Sequence, residues 1–178
     1  MGAPKFIDIP AAWYGDKMMV NKDLWIYNLT EIDIAELEHA ADSFNNLSLP
    51  LGKISKENFP LPKFADFLQK TQNELRDGIG FKLIRGLPVS RYEPKTYSTI
   101  FCGIGTYLGN ARSQNAQGHI LGHVRDIGLD PQNTNTRIYQ TSARQTFHTD
   151  STDVVGLMCL HAAKNGGESL LVSAETLF

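Results

Sequence analysis

His148-Thr149-Asp150 places an imidazole and a carboxylate one residue apart. In an extended segment successive side chains point to opposite faces, so residues two apart share one face. His148 and Asp150 can then hold one metal ion together while Thr149 faces away. Two His and one carboxylate on one side of a metal, with open positions opposite, is the donor set that non-haem Fe(II) uses for oxygen chemistry. Two of three such ligands are legible here. For the third, His161 stands thirteen residues after His148, and His119 and His123 precede it in a polar stretch. Imidazoles on loops and strand ends are usually not ligands, and none of the three is assigned to the metal. Asp153 reads as a turn residue.

A bare H-x-D pair in a chain with 5 His is weak evidence alone, so its flanks matter. Arg137-Ile138-Tyr139-Gln140 precedes it as a short β-rich segment, and Val154-Val155-Gly156-Leu157-Met158-Cys159-Leu160 follows as an apolar run of strand length. Lys164-Asn165-Gly166-Gly167 then reads as a turn, and Glu168-Ser169-Leu170-Leu171-Val172-Ser173 as a further strand. This order of strand, metal pair, strand, glycine turn and strand is how a double-stranded β-helix begins.

Phe147-His148-Thr149-Asp150, the apolar run, Gly166-Gly167-Glu168-Ser169 and Leu171-Val172-Ser173 together resemble the first half of the core of taurine-dioxygenase-like (TauD/TfdA) Fe(II)/2-oxoglutarate oxygenases. Upstream, Gly80-Phe81-Lys82-Leu83-Ile84-Arg85-Gly86-Leu87-Pro88 is similar to the buried strand and Arg-Gly-Leu-Pro turn that precede that core. The resemblance runs from about Trp25 to the C-terminus. It implies an α+β fold, a partial double-stranded β-helix (a cupin-like jelly roll) preceded by an N-terminal helical region. On that reading residues 1–178 are a single incomplete oxygenase domain. Its helical N-terminal region spans 1–108 with a core strand at 80–88, a polar loop or lid spans 109–136, and the first jelly-roll strands span 137–178.

The resemblance also implies roles. His148 and Asp150 would bind Fe(II). Ser169 stands where the family has a hydroxyl residue, usually Thr, that hydrogen-bonds the carboxylate of 2-oxoglutarate, and serine keeps the hydroxyl. Arg144 and Gln145 are substrate contacts by the same likeness; the plainer alternative is an exposed strand pair. In the family a distal His ligand and an Arg that pairs with the far carboxylate of 2-oxoglutarate lie well downstream, and no Arg follows Arg144 here. The chain is therefore expected to be the N-terminal part of an Fe(II)- and 2-oxoglutarate-dependent dioxygenase oxidising a small organic substrate, inactive when isolated. The alternative is a non-catalytic, oxygenase-derived module acting through self-association, as a homodimer, or through a complementary partner chain, since a barrel cut part-way leaves unpaired edges.

The elements that must position this site are helices. Leu24-Trp25-Ile26-Tyr27 reads as a short strand, and Thr30 with Asp33 three residues on marks a helix start. Ile34, Leu37, Ala41 and Phe44 then share a face. Pro50, Gly52, Pro60 and Pro62 make residues 45–62 a connector. A second helix is expected from Pro62 to Asp77, with Phe64, Phe67, Leu68, Thr71 and Leu75 as its core stripe. A third is expected from about Glu93 to Leu108. Gly103-Ile104-Gly105 lies inside that third helix and lacks the spacing of a nucleotide loop, so it reads as close helix packing. Residues 109–136 are rich in Asn, Gln, Gly and Asp, and form either a mobile surface loop or a substrate-covering segment.

With 42% hydrophobic and 20% charged residues, the 178-residue chain suits one globular core. A net charge of −2 and no basic stripe exclude nucleic acid as a main partner. No run approaches membrane length, and Met1-Gly2-Ala3-Pro4-Lys5 lacks the apolar stretch of a secretory leader, so a cytoplasmic location is expected. Cys102 and Cys159 read as reduced core residues.

Overall fold

A computed structural model describes residues 8–134 and 136–177; the Met1–Lys5 stretch lies outside them. The chain divides into two compact units, one from the chain up to Asn110 together with Gly156 onward, the other Ala111–Val155.

The first unit is organised by one parallel strand pair. β1 (Ile26–Asn28) and β2 (Leu83–Arg85) run side by side with Tyr27 opposite Ile84. The Leu83 N–H donates to the Trp25 carbonyl at 2.7 Å and the Leu29 N–H to the Arg85 carbonyl at 2.8 Å, which extends the pairing at both ends. Parallel neighbours cannot be joined by a tight turn and need a crossover. Helices α2 (Glu31–Asn46) and α3 (Phe64–Asp77) form it. Before β1 lie the short helix α1 (Gly15–Val20) and a 3-10 turn at Lys22–Leu24, so the strand begins later than Leu24.

Helix α2 starts where its capping residues require. The Asp33 N–H donates to the Thr30 hydroxyl at 3.2 Å, and Asp33 Oδ2 accepts the Thr30 N–H and hydroxyl, each at 2.8 Å. Two amides that the helix leaves orphaned are thereby satisfied. The Tyr27 hydroxyl of β1 donates to the same oxygen at 2.9 Å, tying strand to helix. The helix ends at a left-handed Ser48 (φ 55°). Glu36 on α2 then accepts from the N–H groups of Lys63 and Phe64 at 2.9 and 3.1 Å, placing a carboxylate at the positive end of α3.

Helix α4 (Pro94–Leu108) packs against both α2 and α3. Leu37, Ala40, Ala41 and Phe44 of α2, Phe64 and Leu68 of α3, Ile100 of α4, and Phe59 and Leu61 of the connector form the buried core. Most of the expected stripes of α2 and α3 face it. Gly103 makes a close approach: a Cβ there would lie 2.5 Å from the Phe59 ring, while Gly105, two residues on and on the far side of the helix, has nothing within 4 Å. The close-packing reading therefore belongs to Gly103. Tyr107 locks the connector, its hydroxyl donating to the Phe59 carbonyl at 3.0 Å and accepting the Leu61 N–H at 2.9 Å.

The Arg-Gly-Leu-Pro turn after β2 depends on its glycine. Gly86 sits at φ 98° with the Leu29 main chain 3.6 Å from where a Cβ would be. Near the C-terminus, α5 (Ala174–Leu177) is tied to the N-terminal segment. The Ser173 hydroxyl donates to the Ala11 carbonyl at 2.6 Å and the Thr176 hydroxyl to the Trp13 carbonyl at 2.8 Å.

The jelly-roll strands expected over 137–178 are not formed among the described residues. Ile138–Gln140 is a 3-10 turn, and neither 154–160 nor 168–173 belongs to a sheet. A strand is defined by pairing as much as by its own residues, and these segments have no partner strand. Most of their apolar side chains are exposed, Leu157 at 75% and Leu171 at 63%. The turn between them keeps its glycine geometry, with Gly166 and Gly167 at φ 72° and 77°. Cys159 is exposed, not in the core, whereas Cys102 on α4 is partly buried and burial pushes its thiol up to about 11. No helix among the described residues is long and apolar enough to cross a membrane.

Candidate metal centre

Both proposed ligands lie in the second unit, on a stretch without regular structure after the Ile138–Gln140 turn. That turn is held to the preceding loop by main-chain bonds, from the Arg125 N–H to the Tyr139 carbonyl at 3.1 Å and from Ile127 to Gln140 at 3.0 Å. The described residues of 109–136 are otherwise irregular, with local knots such as Asn115, whose side chain accepts the N–H of Gln117 and of His119, each at 3.1 Å.

His148 Nε2 lies 3.8 Å from Asp150 Oδ1. On this irregular stretch the two side chains approach each other without a strand to align them. Two cis ligands each about 2.1 Å from one metal lie about 3 Å apart, so a small rotation of the exposed Asp150 side chain closes the gap. The imidazole is already in the tautomer that a metal requires. His148 Nδ1 stands 2.7 Å from the Thr146 carbonyl. A carbonyl only accepts, so Nδ1 is the donor of that bond, and Nε2 is left to accept, as it does from Gln145 at 3.1 Å. An outer hydrogen bond of this kind fixes ring orientation in metal-binding histidines. The donor set therefore fits a metal at two positions.

Gln145 contributes as well: its Nε2 donates to His148 Nε2 at 3.1 Å. Arg144 is exposed, as is Ser169, which belongs to the other compact unit. No group of three His, Cys, Asp or Glu side chains able to hold a metal occurs among the described residues. His119, His123 and His161 thus leave the third position unfilled. The sequence reading missed the Thr146 carbonyl, which no side-chain pattern marks, and the contact between Gln145 and His148.

The model of the family described as taurine catabolism dioxygenase TauD, TfdA family matches residues 46–178, which include α3, α4, His148, Asp150 and Ser169. The chain belongs to this family. It is 32% identical over 94% of its length to a taurine hydroxylase-like protein, SAT17, of Stachybotrys chartarum. It is 30% identical over 86% of its length to the FR-33289 synthase of Streptomyces rubellomurinus. The matches cover 45% and 46% of those proteins, so the chain spans about half the length of these TauD/TfdA relatives. Membership implies a cupin-like fold.

Proposed function

We propose that the chain is the N-terminal, metal-binding part of an Fe(II)- and 2-oxoglutarate-dependent dioxygenase that oxidises a small organic substrate. The observation that carries this is the pairing of His148 Nε2 with Asp150 Oδ1 at 3.8 Å, with Nδ1 tied to a main-chain oxygen, inside the stretch matched by the family. His148 and Asp150 are two ligands of the metal. The Ser169 hydroxyl is a donor for the carboxylate of 2-oxoglutarate, and Arg144 and Gln145 face the substrate. Bound Fe(II) supplies activation of O2 coupled to oxidative decarboxylation of 2-oxoglutarate. The protein's share is to hold ligands in geometry, orient the substrate and keep water out.

A distal His and a carboxylate-binding Arg complete the site on this reading, contributed by further chain or by a partner. Arg suits that role because its planar fork binds a carboxylate bidentately. The same additional strands would pair with 154–160 and 168–173 and bury their apolar side chains, giving the jelly roll. The test is succinate formation from 2-oxoglutarate. The 178-residue chain alone should show none above free iron, whereas a chain extended to the length of its relatives should show turnover that Asp150→Ala abolishes. Turnover indifferent to Asp150 would end the proposal.

A second reading is favoured by the exposure of Leu157, Leu170 and Leu171, at 75%, 61% and 63%. Apolar segments of this kind invite association, and a non-catalytic module would act through them as a homodimer or on a complementary chain. Sedimentation decides this: such a module forms a stable oligomer at micromolar concentration and binds no metal at His148.

A further inference from the structure

The Gln145 side chain is hydrogen-bonded to the one atom of His148 that a metal would use. Its Nε2 stands 3.1 Å from His148 Nε2, while Nδ1 of the same ring is committed to the Thr146 carbonyl at 2.7 Å. The single lone pair at Nε2 can receive one N–H or bind one cation, not both. We infer that Gln145 competes with the metal for His148, so that loading the centre releases the Gln145 amide. This rests on the reading of His148 and Asp150 as ligands.

Three features of the geometry support competition over assistance. The tautomer and the ring orientation are already set from the other side by Thr146, so Gln145 adds nothing to either that the metal needs. Asp150 Oδ1, 3.8 Å from the same nitrogen, favours a cation over a neutral amide at that position. Gln145 and His148 are both exposed, so the amide can swing into solvent without disturbing a packed core. Replacing a neutral hydrogen bond by a metal bond costs the small net value of the former. Removing Gln145 should therefore tighten metal binding by about 2- to 10-fold.

The experiment uses the 178-residue chain as wild type, Gln145→Ala and His148→Ala, with Mn(II) as the probe. Ring 15N shifts of His148 and paramagnetic broadening of resonances around Asp150 are followed by NMR. In Gln145→Ala the His148 Nε2 shift should move to that of a free lone pair while Nδ1 remains the protonated nitrogen. The Mn(II) concentration needed for half-broadening should fall about 2- to 10-fold. An unmoved Nε2 shift, or a midpoint equal to or above that of the wild type, overturns the competition while leaving the centre in place. Broadening around Asp150 that His148→Ala does not weaken overturns the centre itself, and the competition with it.

Discussion

The His148 ring donates through Nδ1 to the carbonyl of Thr146, two residues before it, at 2.7 Å. That bond turns the other ring nitrogen, Nε2, toward Asp150. The proposed metal ligand is thus oriented by main chain close to it in sequence.

Gly103 and Gly105 on α4 should respond in opposite directions to the same substitution. A methyl at 103 would collide with the Phe59 ring, so Gly103→Ala should destabilise by about 1–3 kcal/mol through overpacking. Gly105 is exposed with nothing near its missing Cβ, so Gly105→Ala should stabilise the helix by about 0.5–1 kcal/mol. Urea denaturation measures both. A loss of stability in Gly105→Ala as large as in Gly103→Ala would contradict this packing.

The start of α2 should be sensitive to acid. Burial alone would raise the Asp33 pKa, but the Thr30 amide, the Thr30 hydroxyl and the Tyr27 hydroxyl outweigh it and hold the carboxyl below its ordinary value. A lowered folded pKa contributes stability that is complete above the unfolded value, about 3.9, and is lost as pH falls through the folded one. Asp33→Ala should cost about 0.5–2 kcal/mol at neutral pH, and the difference from wild type should shrink in strong acid. A difference independent of pH between neutrality and pH 2 would show that the carboxylate is not what caps the helix.

The two cysteines should separate by reactivity. The thiolate is the reactive form; Cys102 is partly buried with its thiol raised to about 11, and Cys159 is exposed. Iodoacetamide at neutral pH should modify Cys159 about tenfold faster or more, read by mass spectrometry of tryptic peptides. Equal rates would mean that the segment around Cys159 is covered.

The helical half of the fold was legible because its signals are local. Thr30 with Asp33 and the stripe from Phe64 to Thr71 each fix a helix within a few residues of the cause. Leu157 and Leu171 show the opposite case: their apolar runs have strand character, but a strand needs a neighbour, and that neighbour is a non-local property. Val154-Val155 and Leu170-Leu171 therefore read as strands in sequence and stand unpaired in the structure. At the site, residue types and the i, i+2 spacing marked His148 and Asp150. The tautomer could not be read, because its cause is a carbonyl that every residue possesses. Gln145 was singled out as a substrate contact through the resemblance, and the structure puts its amide on His148.

The most direct test of the account is the metal affinity of this chain. Fe(II), or Mn(II) in its place, should bind weakly to the wild type, and both His148→Ala and Asp150→Ala should weaken binding by about tenfold or more, since even outer-shell partners of metal ligands are worth 10–100-fold. Calorimetric titration under anaerobic conditions gives the comparison. Affinities for His148→Ala and Asp150→Ala equal to that of the wild type would remove these residues from the metal centre and contradict the central claim.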